Sequence, residues 1–300
     1  MAKKEIKNMG ESVRNRLLNI AKEQNRNFNA VLLQYAQERL LYRLSESAYK
    51  EKFVLKGGLL FLAYQMPSQR PTKDIDFLGR AVKNDKRNIQ DIFVNVCSID
   101  SKDGVQFKHE TIAVKSIKED AEYEGLRVNI PAIIAGAKLN LQIDVGFGDV
   151  QAVRPVKKDF PGLLSFPSPK LYMYRPESVV AEKFEAMVTR GTLNSRMKDY
   201  YDIFFLAQSW DFKQNTLREA IIKTFKNREV EIRKCEEVFT PEYVNNEEIN
   251  DRWNNFLNRM NFDIEMDFKA VMKKIKLFLQ PVIKFGEGTK VWDREKWKWI

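Results

Sequence analysis

Histidine is almost missing from this chain: its 300 residues contain one, His109. That scarcity excludes two-histidine metal centres, histidine-rich zinc sites and hydrolytic triads supported by further histidines. Cysteine is nearly as rare. Cys97 and Cys235 lie far apart and have no Cys or His neighbours at metal-ligand spacing, so both read as reduced thiols. Any metal must then be held by carboxylates, which suit magnesium or manganese better than zinc. Long apolar runs are also lacking. The longest, GLLFLAY at 58–64, is far too short to cross a bilayer. The opening MAKKEIKNMGESVRNR is basic but reaches no apolar core, so no signal peptide is expected. These absences lead to the expectation of a cytoplasmic protein with no membrane partner.

What is present is the composition of a globular chain, 44% hydrophobic and 31% charged, long enough for two lobes. Net charge is +10, and residues 1–50 carry ten Lys/Arg against five Glu. Such a balance favours a polyanionic partner such as RNA, DNA or a nucleoside triphosphate, although a solvated basic surface or an acidic protein partner would also fit.

Periodicity predicts two helices over 10–48, broken at Gln24–Asn27, with Asn27 or Asn29 as the cap of the second. Phe53–Lys56 reads as a short strand that breaks at Gly57-Gly58 into an apolar helix start at Leu59. Lys73–Leu78 alternates as a strand, 86–98 looks helical, and 104–118 with 121–130 suggests a hairpin region, with Glu124-Gly125 near its turn. Leu139–Val145 is the clearest strand. Prolines 155, 161, 167, 169 and 176 mark 151–176 as a connection between lobes. Helices are then expected at 177–190, 195–209, 213–227, 246–260 and 267–279, the last with an apolar stripe from Phe268 to Leu279. The outline is α/β followed by α, divided into 1–165 and 166–300.

Asp74 and Asp76 stand two apart on a strand, so their carboxylates share a face while Ile75 and Phe77 pack behind it. Carboxylates that close repel one another unless a cation neutralises them. Asp144, with Asn140 and Gln142, occupies the polar face of a second strand. If the two strands are neighbours, three carboxylates meet and could hold two divalent ions, one activating a hydroxyl and one orienting a triphosphate. Alone, an Asp-x-Asp is as compatible with a solvated strand edge or a calcium loop. Gly57-Gly58 lets backbone amides approach a phosphate at a helix start, although such a pair is also a common tight turn. It is not a P-loop, because no Lys-Ser/Thr follows at the required spacing. Farther on, Lys183 and Arg190 share a helix face, Lys198 can pair with Asp202, and Arg196 and Lys198 add positive charge suited to phosphate oxygens. A charged helix face with a structural ion pair is the plain alternative.

Lys56-Gly57-Gly58-Leu59-Leu60, followed by Arg70-Pro71-Thr72-Lys73-Asp74-Ile75-Asp76-Phe77, resembles the first motif of AbiEii-type nucleotidyltransferases, the toxin halves of bacterial AbiE-like pairs. The likeness continues upstream through 12–18 and 38–45. Downstream it takes in Glu182–Ala186, Arg190 and Arg196–Ile203, so that it spans about residues 10–210. The resemblance implies a polymerase-β-like lobe with a mixed sheet, then a mostly helical lobe. It implies Mg²⁺-dependent (or Mn²⁺-dependent) transfer of a nucleotide from a nucleoside triphosphate to an RNA acceptor such as tRNA, GTP binding, and a separately encoded antitoxin. Carried onto this chain, Asp74, Asp76 and Asp144 would hold metal. Lys56, Gly57, Gly58, Lys183, Arg190, Arg196 and Lys198 would bind nucleotide, and Asp202 would be a further essential acid. Leu59 departs from the pattern, since many nucleotidyltransferases place a phosphate-touching Ser there; the backbone amides are left to make that contact.

Two other readings stay open: a GTP-binding, kinase-like phosphotransferase using the same site, and a non-catalytic basic RNA-binding module. The terminal run Trp292–Ile300 alternates basic and aromatic residues. It could clamp RNA or dock its tryptophans on the core. His109 reads as a strand residue.

Overall fold

The computed structural model describes residues 8–66, 72–120, 123–260, 267–284 and 288–300, and the side chains within these except 118–120, 123 and 124. The chain forms two compact units, residues 1–148 with 156–173 and residues 149–155 with 174–300. An early mixed-sheet unit followed by a mostly helical one matches the expected α/β-plus-α outline.

The first unit opens with α1 (Met9–Glu23) and α2 (Phe28–Glu46). Asn8 caps α1 by accepting from the Glu11 amide, and Asn27 caps α2 by accepting from that of Ala30. Of the two expected capping asparagines it is therefore Asn27 that acts. Next come β1 (Phe53–Lys56), α3 (Leu59–Ala63), β2 (Asp74–Gly79) and α4 (Lys86–Cys97). The strands β3 (Gln106–Phe107), β4 (Ala113–Asp120), β5 (Tyr123–Ile134), β6 (Ala137–Gly146), β7 (Val156–Asp159) and β8 (Lys170–Met173) complete it. Among the described residues these eight strands form one mixed sheet in the order β3-β5-β6-β2-β1-β8-β7, with β4 also paired to β5. β2 runs parallel to β6 and β1 parallel to β8; the remaining pairs are antiparallel.

Opposed residues in a ladder point to the same face. Leu55, Phe77, Val145 and Leu126 line up across β1, β2, β6 and β5, and all four are buried. Phe53 meets Phe77 and, from α4, Phe93, at ring separations of 5.6 and 5.5 Å. One face of the sheet is thus an apolar core, and the alternation that makes it so leaves the neighbouring positions for polar residues. Arg43 of α2 secures the loop after α4 through two hydrogen bonds to Asp103, at 2.7 and 3.0 Å. Cys97 and Cys235 are both free and buried, and burial pushes each thiol up to about 12.

Several local expectations are corrected. The stretch 151–176 is not simply a connection, since it supplies β7 and β8, and the chain passes between units at 148–149, 155–156 and 173–174. Its prolines fall between or beside short strands and leave the ladder hydrogen bonds intact. Glu124-Gly125 lies inside β5, paired with Lys118 and Ile117, and residues 121–122 between the strands lie outside the described residues. His109 begins a short 3-10 turn, His109–Thr111, in place of a strand. There the amide of Lys108 still bonds to Pro131, after which the chain leaves the ladder.

The second unit is mostly helical: α5 (Pro176–Arg190), α6 (Met197–Ser209), α7 (Gln214–Asn227), α8 (Pro241–Val244), α9 (Glu247–Met260) and α10 (Phe268–Lys284). Pro176 starts α5 at a position where its missing amide costs nothing. The apolar stripe of α10 is buried from Phe268 through Val282. A small hairpin, β9 (Trp292–Asp293) with β10 (Lys298–Trp299), closes the chain. Its tryptophans dock on their own unit: the indoles of Trp292, Trp297 and Trp299 donate to the carbonyls of Ala207, Lys274 and Phe278. No helix among the described residues is long and apolar enough to cross a membrane.

Candidate active site

The sheet's polar face carries the first group of expected site residues. β1 pairs Lys56 with Asp76, β2 pairs Asp76 with Asp144, and β5 pairs Arg127 with Asp144. Four neighbouring strands therefore set Lys56, Asp76, Asp144 and Arg127 in one row, two carboxylates between two cations. The next row on that face aligns Asp74, Gln142 and Asn129. The sequence-based condition, that the Asp74–Asp76 strand and the Asp144 strand be neighbours, is met.

Arg127 was not among the expected residues. Its Nε and Nη2 donate to Asp144 Oδ1 and Oδ2, both at 2.7 Å. This bidentate pair raises the guanidinium's pKa; burial opposes the shift, and the negative charges of Asp144, Asp74 and Asp76 add to it. A signal existed in the sequence. Leu126, Val128 and Ile130 alternate toward the core, which turns Arg127 and Asn129 to the carboxylate face.

Gly57 follows β1 with φ +71°, a left-handed conformation that glycine adopts without strain. A Cβ there would lie 1.8 Å from Asp76 Oδ2, so the carboxylate rests directly on the glycine backbone. Gly58 is different: at φ −69° it is ordinary helical backbone and caps α3 without a side chain. With only five residues, α3 has little macrodipole to offer an anion. Arg70 and Pro71 of the expected motif lie outside the described residues.

The donor set suits a hard divalent ion: aspartate oxygens on rigid strands with no softer ligand beside them. Asp74 and Asp76 would hold it. Asp144 is the third carboxylate of the same face, and both its oxygens are engaged by Arg127. Among the described residues, no group of three or more His, Cys, Asp or Glu is drawn together as a metal site.

The second group lies in the helical unit. Lys183 of α5 places Nζ 2.7 Å from Asp199 Oδ1 and 2.8 Å from Asp202 Oδ2, both on α6. Asp202, which helical spacing sets one turn from Lys198, is a counter-ion of Lys183 on another helix. Asp199 and Asp202 are essentially inaccessible to solvent. Arg196 also reaches Asp199, at 3.0 Å. Burial alone would raise the Asp199 pKa, but Lys183 and Arg196 outweigh it and hold the carboxyl below its usual range. Arg190, at the end of α5, has its pKa lowered by burial and by the nearby Arg196 charge. Lys198 is exposed. Asp199 stands outside the expected residues, as does Arg228, whose guanidinium joins Glu185 and Asp149; those carboxylates with Glu182 raise its pKa against the effect of burial.

Residues 39–274 match the family described as nucleotidyl transferase AbiEii toxin, type IV toxin–antitoxin system. Among solved structures, the chain is similar to JHP933 from Helicobacter pylori at 15% identity and a TM-score of 0.47, covering 85% of this chain and 92% of that one. It is likewise similar to a candidate nucleotidyltransferase from H. pylori at 14% identity and a TM-score of 0.46, covering 85% and 95%. No curated protein matches. The family match spans most of both units, including every expected site residue named above, and on it the chain belongs to the AbiEii family of nucleotidyltransferase toxins.

Proposed function

We propose that this toxin transfers a nucleoside monophosphate from a nucleoside triphosphate to the 3′-hydroxyl of an RNA acceptor, tRNA above all. The observation that carries the reading is the charge row Lys56–Asp76–Asp144–Arg127 with Asp74 on the same face. Rigid adjacent strands are what a site for in-line phosphoryl chemistry needs, since its catalysis is mostly positioning and charge stabilisation. Asp74 and Asp76 hold the divalent ion, which when bound supplies Lewis-acid stabilisation of the triphosphate and a more acidic attacking hydroxyl. Asp76 is kept in place by its contact with Gly57, and Lys56 offsets its charge from β1. The acceptor hydroxyl gives up its proton to solvent, its oxygen bonds to the α-phosphorus, the bond to the α–β bridging oxygen breaks, and pyrophosphate leaves.

Lys183, Arg190, Arg196 and Lys198 are the phosphate-binding cations of the helical unit, and Asp199 and Asp202 are positioning residues that keep Lys183 charged and fixed. Gly57 and Gly58 offer backbone amides to the triphosphate. The partner that neutralises the toxin is a separately encoded antitoxin.

The test is incubation with Mg²⁺, total bacterial tRNA and each α-³²P-labelled nucleoside triphosphate in turn, beside an Asp76→Ala control. Label on tRNA that disappears in the variant supports transfer and identifies the base. Absence of label with every nucleotide, from a folded protein, removes tRNA as the acceptor.

A further inference from the structure

The carboxylate most needed to complete a three-aspartate site is already occupied by a side chain of the protein. Arg127 and Asp144 are directly opposed across β5 and β6, and their two hydrogen bonds use both carboxylate oxygens. Gln142 Nε2 approaches one of the same oxygens at 3.5 Å. An oxygen that accepts a short charge-assisted hydrogen bond from a guanidinium cannot at the same time turn that lone pair toward a divalent ion in the same direction. Arg127 is about a third exposed, whereas Asp144 is buried. The arginine therefore has solvent to move into, and the aspartate does not.

We propose that Arg127 competes with the divalent ion for Asp144, so that Asp144 joins Asp74 and Asp76 as a ligand only when the guanidinium lets go. Arg127 is thus a positioning residue that sets ion affinity and holds the site charge-balanced when no ion is bound. A buried carboxylate beside two others carries a large repulsive cost, and an arginine on the adjacent strand offsets it. The ion, when it binds, takes over that role. The inference rests on the assignment of Asp74 and Asp76 as ion-binding residues, and it adds an internal competitor for the third.

Mn²⁺ alone is the probe, with free ion counted by electron paramagnetic resonance in the absence of nucleotide and RNA. Wild type, Arg127→Gln, Asp144→Asn and the double variant are titrated, with thermal melting as the check on folding. Arg127→Lys serves as a second variant that keeps charge but cannot grip both oxygens. Competition predicts that Arg127→Gln tightens Mn²⁺ binding by about tenfold, the size of a mid-range contact coupling. It also predicts that Arg127→Lys falls between it and wild type, and that Arg127→Gln has no effect in the Asp144→Asn background. The same tightening in both backgrounds would reduce Arg127 to a distant positive charge and overturn the competition. Unchanged or weaker binding in folded Arg127→Gln would overturn it too, while binding by wild type that is lost in Asp76→Ala, titrated alongside, would leave the ion site itself standing. If no variant binds Mn²⁺, both the competition and the ion site are refuted.

Discussion

Arg127 and Asp144 face each other across adjacent strands and are joined by two 2.7 Å hydrogen bonds, on the same row as Asp76 and Lys56. A row of alternating strand positions thus becomes a line of charge, plus-minus-minus-plus, built on a sheet whose other face is core. Carboxylates gathered this closely would destabilise an ordinary sheet face, and here a cation stands on each side of the pair.

Gly57 and Gly58 should respond differently to alanine, although they are neighbours. Gly57→Ala places a methyl group against Asp76 and forces a left-handed backbone on a substituted residue. It is expected to cost about 1–3 kcal/mol in denaturant unfolding and to displace the carboxylate. Gly58 already has helical backbone angles. Gly58→Ala should change stability by only about 0.5 kcal/mol. Equal losses at the two positions would contradict the assigned contact.

Lys183→Ala tests whether the Lys183 cluster is structural, apart from the phosphate-binding role proposed for it. Removing the ammonium takes from Asp199 and Asp202 the counter-ion they share in a buried place, with Arg196 still at Asp199. Breaking a buried pair from one side costs about 3–5 kcal/mol. Chemical denaturation should show that loss, and adding Asp199→Asn and Asp202→Asn should recover part of it. Lost activity in Lys183→Ala then reports on the site only when measured well below the variant's unfolding transition. A fully stable Lys183→Ala would argue against the bracketed lysine.

Acid should weaken the helical unit through Asp199. Its folded pKa lies below its unfolded value, so its stabilisation is fully present above the unfolded value of about 3.9 and is lost as pH falls through the folded one. Melting temperature followed downward from pH 5 should fall more steeply in wild type than in Asp199→Asn. Parallel curves would show that Asp199 is not depressed.

Much of this was legible in the sequence because it follows from short-range pattern. Strand alternation put Asp74 and Asp76 on one face, and Leu141, Ile143 and Val145 turned Asp144 to the polar side. The helical periods from Pro176 to Lys284 matched the elements closely. The expected adjacency of the two aspartate strands depended on long-range pairing, which periodicity alone does not encode. Arg127 escaped notice for that reason: its importance arises only when β5 lies against β6 in a particular register. β7 and β8 were hidden by flanking prolines, which in a sequence read as loop. Helical spacing shows Lys198 one turn from Asp202 but cannot show Lys183, which the fold presents to Asp202 from a second helix at 2.8 Å.

The tryptophan-rich C-terminal hairpin should behave as core. Trp292 is fully buried, donates to Ala207 at 2.7 Å and meets Phe278 at a ring separation of 4.9 Å. Trp292→Ala is expected to lower stability by about 3–5 kcal/mol. Loss of RNA affinity in that variant with unchanged melting would instead make the hairpin a nucleic-acid clamp.

The most direct test of the central claim is the mass of the acceptor. Purified tRNA incubated with the protein, Mg²⁺ and a nucleoside triphosphate is analysed by intact mass spectrometry, with Asp76→Ala alongside. The account predicts a gain of one nucleoside monophosphate at the 3′ end, release of pyrophosphate, and a loss of at least about a hundredfold in rate in the variant. A gain of a single phosphate with release of a nucleoside diphosphate, or transfer that survives Asp76→Ala, would contradict it.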